Sequence, residues 1–300
     1  MRVEPEPVVV EHVGLRIAAL DWGGEGPTLL LLHPNGFCAG LFDPLAQRLR
    51  GSFRCVGVDL RGHGGTDVPP GLPAAFPVGV AFVELAADVV AVLDHLGVGQ
   101  PGTSEVVALG ESSGGGVATL VDAARPGLIR RLMLCEAIAF DIGALGASSS
   151  GSGPGDGGNY MAALARKRRA VWPSRAEVRA SYGSRPPMNE LAPETLDAYV
   201  RWGFVDRADG TVELACPPEF EATMFEAGAD PSGALEAWRH LSALTASAVV
   251  LSGNRSNLPP AWFAAQAERA GCPHVEIDGG HFFLQEDTDR AESLVREHLA

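Results

Sequence analysis

The chain has 300 residues, with 23 basic and 37 acidic side chains, a net charge of −14, 46% hydrophobic residues and 20% charged residues. This excludes a disordered chain and suits one large domain or a domain carrying an insertion. The acidic excess argues against nucleic-acid binding, which needs concentrated positive charge, and no run of about 18 uncharged apolar residues is present to span a membrane.

The N-terminal stretch MRVEPEPVVV has no basic region followed by a long apolar run, so no secretory signal is expected. Segments 8–13 and 15–21 flank Gly14 and read as an antiparallel hairpin at a sheet edge. The runs 28–33 (TLLLLH), 54–59 (RCVGVD), 105–110 (EVVALG), Ile129–Cys135 (IRRLMLC) and 248–252 (AVVLS) are short and apolar, as buried parallel strands are. Helical patterns lie between them at 41–49, 81–96 and 261–270. The second has apolar residues at 82, 85, 89, 92, 93 and 96. Strand–helix alternation predicts an α/β fold with a mostly parallel sheet flanked by helices.

The alternation breaks after Phe140. Residues 146–158 (GASSSGSGPGDGG) read as a flexible Gly/Ser loop, and helical patterns follow at 160–171, Arg175–Tyr182, 193–203 and 217–226. The simplest organisation is a core of 1–140 and 236–300 interrupted by a helical cap at 141–235. Five widely spaced cysteines, an odd number without CxxC, argue against a disulfide framework or zinc knuckle and for a reducing, cytoplasmic setting.

Gly110–Glu111–Ser112–Ser113–Gly114 matches G-x-S-x-G between a strand pattern and a helical one. A hydroxyl on so sharp a turn is exposed at the sheet's carboxyl end, and small residues two places away on either side avoid collision. The alternative is a glycine-rich turn that only packs. Asp278–Gly279–Gly280–His281 follows a strand-like run, so His281 can reach that sheet edge, and an imidazole exchanges protons near neutral pH. The alternative is a surface histidine in a turn. His33 and His63 read as structural. An oxyanion would need two amide donors. One is Ser113 N–H. The other comes from the loop His33–Phe37 (HPNGF), with Asn35 the first candidate and Gly36 and Phe37 the alternatives.

Four motifs carry a family resemblance: HPNGF at 33–37, DLRGHGGTD at 59–67, GESSGG at 110–115 and GGHFFLQED at 279–287. In order and spacing they resemble the α/β-hydrolase fold superfamily over nearly the whole chain, with 141–235 in the position of its cap. The resemblance implies Ser112 as nucleophile and His281 as base, with no metal or organic cofactor. Serine at the elbow sets the chain apart from epoxide hydrolases and haloalkane dehalogenases, which use aspartate there. The family usually carries an Asp after the strand corresponding to 248–252, but Gly253–Asn254–Arg255–Ser256–Asn257–Leu258 contains no carboxylate. Asn257 or Ser256 holds that place. Asn cannot stabilise an imidazolium as a charge does.

Glu136, at the end of the 129–135 strand and 24 residues after Ser112, offers the missing carboxylate, and some members of the superfamily the chain resembles place their acid at the end of that strand. A charge in that apolar context needs a partner, and an imidazolium would supply one. The expected triad is therefore Ser112, His281 and Glu136; the alternative makes Glu136 a salt-bridge partner at the cap hinge. Glu111, beside the nucleophile, reads as structural. The run Arg166–Lys167–Arg168–Arg169 reads as a solvated helix face, or less simply as a site for an acidic group. The aromatics of 160–225 line a pocket over Ser112 or form the cap's own core. The implied activity is hydrolysis of a small-molecule ester, thioester or lactone. C–C bond hydrolysis, cofactor-free haloperoxidase chemistry and a non-hydrolytic ligand-binding role stand as alternatives on the same fold.

Overall fold

The computed structural model describes residues 2–72, 74–100, 102–141 and 159–300. The expected 146–158 loop lies outside the described residues. The chain runs β1 (Glu6–His12), β2 (Leu15–Gly23), β3 (Thr28–Leu32), α1 (Asp43–Leu49), β4 (Arg54–Val58), α2 (Phe82–His95), β5 (Val106–Glu111), α3 (Ser113–Ala124) and β6 (Ile129–Cys135). The inserted segment follows with α4 (Tyr160–Arg166), β7 (Val171–Trp172), α5 (Arg175–Tyr182), α6 (Pro193–Trp202), β8 (Phe204–Asp206), β9 (Val212–Leu214) and α7 (Pro218–Ala229). The core resumes with α8 (Ala234–Leu241), β10 (Ser247–Gly253), α9 (Pro260–Ala270), β11 (His274–Ile277), α10 (Phe283–Glu286) and α11 (Thr288–Leu299).

The main sheet has eight strands in the order β1-β2-β4-β3-β5-β6-β10-β11. β1, β2 and β4 pair antiparallel at one edge, and β4 through β11 are parallel. The apolar runs are continuous because both faces are covered. Side chains alternate across a pleated strand, so Leu30 and Leu32 pack into one core while Leu29 and Leu31 pack into the other. Val106 and Ala108, then Leu132 and Leu134, join the first core; Val107 and Leu109, then Met133 and Cys135, join the second. Residues of α2, α3, α8 and α9 close the first layer, and those of α1 and α11 close the second. Among the described residues no helix is long and apolar enough to cross a membrane.

The segment between β6 and α8 differs from the all-helical cap expected over 141–235. It contains a three-stranded antiparallel sheet, β7-β9-β8, and the helix expected over 160–171 stops at Arg166. α8 packs on α3. The aromatics Trp172, Tyr199 and Phe204 are buried with Val178, Leu196 and Leu214 in a hydrophobic core of the insertion's own. That core also takes in Phe37, Cys38 and Leu41, from the segment after β3, so the insertion is seated on that loop.

Candidate active site

β5 ends at Glu111 and α3 begins at Ser113, so Ser112 alone makes the turn. Its φ is 53° and its ψ is −122°. Among the described residues, the non-glycine positions with positive φ are Val13, Ser112 and Glu136. A side chain in that region costs on the order of 1–3 kcal/mol and persists where its surroundings over-determine it. Here Ser112 N–H donates to the Cys135 carbonyl at 2.9 Å, and its own carbonyl accepts from Ile138 N–H at 2.8 Å. The motif's glycines have a steric cause. A Cβ at Gly110 would lie 2.7 Å from the Gly114 carbonyl oxygen, and one at Gly114 would lie 2.3 Å from that of Leu32.

The register pairs Glu111 with Cys135, so Ser112 and Glu136 leave neighbouring strands at the same level of the carboxyl edge. Cys135 is paired in turn with Leu251, and Gly253 with Ile277, which brings the loops after β10 and β11 to the same place. Glu136 is fully buried. Its Oε2 lies 2.8 Å from His281 Nδ1 and accepts from the Ser256 hydroxyl at 2.6 Å; its Oε1 accepts from Gly253 N–H at 2.8 Å. Hydrogen bonds on both oxygens offset the cost of burying the charge. They also hold the carboxylate against the imidazole, whose Nδ1–H donates to it, leaving Nε2 as the proton-accepting nitrogen. The end of β10 and the stretch after it, which lack an acid, thus contribute donors that hold one. Ser256, weighed from sequence as a stand-in for the acid, is a hydrogen-bond donor to it, and Asn257 is exposed.

The loop after β3 lies beside this group. His33 Nε2 accepts from Leu60 N–H at 3.0 Å, and its Nδ1 lies 2.8 Å from the Pro34 carbonyl. His63 Nε2 accepts from Gly36 N–H at 3.0 Å, and its Nδ1 lies 2.8 Å from the Arg61 carbonyl. Both rings are buried and both are neutral. Burial and the neighbouring His63 pull His33 down to about 3, and burial pulls His63 down to about 4. Both serve as struts for the loop. Phe37 N–H donates to the Pro34 carbonyl at 3.2 Å. Gly36 and Phe37 thus have partners, whereas no acceptor among the described residues takes the Asn35 N–H. Ser113 N–H, in the first turn of α3, is one of the amides a helix leaves without an internal acceptor.

A profile of the alpha/beta hydrolase family matches residues 29–295. The chain belongs to that family. It is similar to the crystal structure of E-2-(acetamidomethylene)succinate hydrolase, with 18% identity, 98% of this chain and 99% of that one covered, and a TM-score of 0.79. It is also similar to the thioesterase domain from the curacin biosynthetic pathway, with 19% identity, coverage of 98% and 99%, and a TM-score of 0.73. At such identities the likeness is one of fold. An uncharacterised protein of Mycobacterium tuberculosis is 32% identical over 114 residues, 38% of this chain; the match spans 30% of that protein's length.

The other acidic groups have partners of their own. Asp59 accepts from Ala39 N–H and Gly65 N–H, Asp67 from Arg16 N–H, and Asp278 pairs with Arg255. Glu111 is 1% exposed and accepts from Gln285 Nε2 at 2.7 Å. Burial pushes its carboxyl up to about 8, and the nearby Glu136 adds to the rise. Among the described residues, Glu111 Oε1 and Gln285 Oε1 are both buried without a partner. The basic run divides. Arg166 pairs with Glu219 and Glu226 at the surface, and Arg169 lies over the Trp172 ring. Arg168 departs from the solvated-face expectation and turns inward onto Glu221, Tyr182 and Tyr199. The hydropathy pattern carried no signal for that turn. Among the described residues no three His, Cys, Asp or Glu side chains converge as a metal site.

Proposed function

We propose that the chain is a serine hydrolase acting on a carboxylic ester, thioester or lactone through an acyl-enzyme. His281 Nε2 takes the Ser112 hydroxyl proton as Oγ attacks the carbonyl carbon. The oxyanion is met by the Asn35 and Ser113 amides. His281 then gives its proton to the leaving group, and a water activated by the same nitrogen releases the acid. Glu136 keeps the imidazole in the Nδ1–H tautomer and balances its positive charge. The observation that carries this reading is the buried Glu136 carboxylate, 2.8 Å from His281 Nδ1 and hydrogen-bonded on both oxygens. Glu136 and Ser112 are also two of the three described non-glycine residues at positive φ, and such outliers gather at active sites.

Similarity to a thioesterase domain supports the thioester branch, and the reading extends it no further than the bond class. The test is a panel of p-nitrophenyl esters, acyl thioesters and lactones assayed with wild type and Ser112→Ala. Turnover of at least one class, lost by at least 10³-fold in the variant, supports the proposal, since removing a nucleophile leaves only the residual effect of binding and the oxyanion amides. Turnover that survives Ser112→Ala overturns it.

A further inference from the structure

The loop that carries Asn35 is held from two sides, and one of them is the inserted segment. On the core side, the Pro34 carbonyl lies 2.8 Å from His33 Nδ1 and accepts from Phe37 N–H. Because the peptide is planar and trans, fixing that carbonyl fixes the Asn35 N–H in the opposite direction. On the insertion side, the Tyr199 hydroxyl of α6 donates to the Gly36 carbonyl at 2.9 Å. The same hydroxyl accepts from Arg168 Nη2 at 2.8 Å, and Tyr182 accepts from that nitrogen at 3.1 Å. Arg168 Nη1 pairs with the Glu221 carboxylate of α7. The Glu221 carbonyl in turn accepts from Asn35 Nδ2 at 3.0 Å.

The ion pair lies directly on the loop. A Cβ at Gly36 would be 2.7 Å from Glu221 Oε1 and 3.2 Å from Arg168 Nη1. Tyr199 is 1% exposed, and burial holds its phenol well above the ordinary tyrosine range, so it remains a donor. Arg168 and Glu221 pair as opposite charges, and the two tyrosine hydroxyls both accept from Arg168 Nη2. A connected buried polar network of this kind holds its members in place, and loosens when one of them is removed.

We propose that Tyr199 and Arg168 are positioning residues, through which the inserted segment fixes residues 35–36 so that the Asn35 amide meets the oxyanion. The inference rests on the serine-hydrolase reading. It makes seating of the insertion a condition of oxyanion stabilisation as well as of enclosure. Neither residue touches the reacting atoms. Their effect passes through the Gly36 carbonyl and the Asn35 side chain.

The test uses the full chain and a fluorophosphonate probe, whose phosphoryl oxygen occupies the oxyanion position during labelling. The maximal labelling rate and the half-saturating probe concentration are measured separately. Tyr199→Phe removes one hydroxyl and keeps the ring. Its labelling rate is expected to fall by about 10-fold, less than the roughly 10²–10³ lost with an oxyanion donor itself, with the half-saturating concentration within about twofold. Affinity for a trifluoromethyl ketone, which forms a tetrahedral oxyanion on the serine, falls in step. Arg168→Met shows the same pattern, and Arg168→Lys, which keeps the cation beside Glu221, recovers part of the rate. Circular dichroism and thermal melts establish that each variant is folded. A wild type labelled at Ser112 with Tyr199→Phe equally fast overturns the positioning role alone. A loss confined to the half-saturating concentration also overturns it, and makes these residues pocket walls. A wild type that does not label overturns the serine-hydrolase reading, and the inference with it.

Discussion

Replacing Glu111 with Gln will stabilise the protein increasingly as pH rises from 6 to 8. The carboxyl is fully enclosed, and burial raises it from 4.5 to about 8, opposed by the Gln285 hydrogen bond and assisted by Glu136. A folded-state value above the unfolded one means that the native state holds a proton the unfolded chain has already released. The contribution of Glu111 is therefore complete below about pH 4.5 and lost progressively up to about 8. At ~1.36 kcal/mol per unit, with the slope halving as the native carboxyl itself ionises near 8, the span from pH 6 to 8 removes about 2.3 kcal/mol from wild type and nothing from the amide. The geometry fits a neutral group. Among the described residues the buried Oε1 atoms of Glu111 and Gln285 both lack partners, and only the protonated acid carries a donor of its own. An amide at 111 offers the same donor–acceptor pair without titrating. Urea melts of wild type and Glu111→Gln at pH 6, 7 and 8 give the difference directly, since the other titrating groups cancel. A difference that stays constant across that range would refute the argument and return Glu111 to the ionised state.

Three further outcomes follow from the same geometry. Ser256→Ala removes one donor from the Glu136 carboxylate and leaves Gly253 N–H and His281, so kcat should fall by about 3- to 10-fold with KM little changed, as for loss of one hydrogen bond to a charged group. Steady-state kinetics check it, and an unchanged kcat would show that Ser256 does not orient the acid. His33 and His63, pulled down to about 3 and about 4, have folded-state values below their usual 6.5, so the stability they contribute is present above 6.5 and lost as pH falls toward 4. Melts at pH 7, 5.5 and 4.5 should show His63→Gln less acid-sensitive than wild type, and equal acid sensitivity would count against a neutral His63 strut. Gly114→Ala puts a methyl 2.3 Å from the Leu32 carbonyl oxygen, a collision with backbone that should cost roughly 1–3 kcal/mol of stability in a thermal melt. A wild-type melting temperature would mean that the elbow relaxes without cost.

The main sheet was legible because its strands are buried on both faces. Continuous runs such as TLLLL need no partner information to be recognised, and observed β3, β4, β5, β6 and β10 fall within a residue or so of expectation. The pairing of Glu136 with His281 was legible for a different reason. A carboxylate at the end of an apolar strand is costly without a partner, and the segment after β10 offered no competing acid. The strands of the insertion were not legible. β7, β8 and β9 have two or three residues each, and β7 pairs with residues some 40 positions away, so no local period marks them. The inward turn of Arg168 was hidden in the same way. Its partners Glu221, Tyr182 and Tyr199 come from three helices, and in sequence it is one of four adjacent cations. The identity of the free amide in HPNGF depended on which N–H groups the loop itself consumes, and that is decided by His63, 27 residues beyond Gly36.

The measurement that bears most directly on the account is intact-mass analysis and peptide mapping after fluorophosphonate treatment of wild type, His281→Ala and Glu136→Gln. The account predicts one adduct per chain at Ser112 in wild type, with labelling slowed sharply in both variants, by roughly 10³-fold or more for the amide if Glu136 acts as the acid of a Ser-His-acid triad does. Labelling of Glu136→Gln at the wild-type rate, or an adduct at any residue other than Ser112, would contradict it.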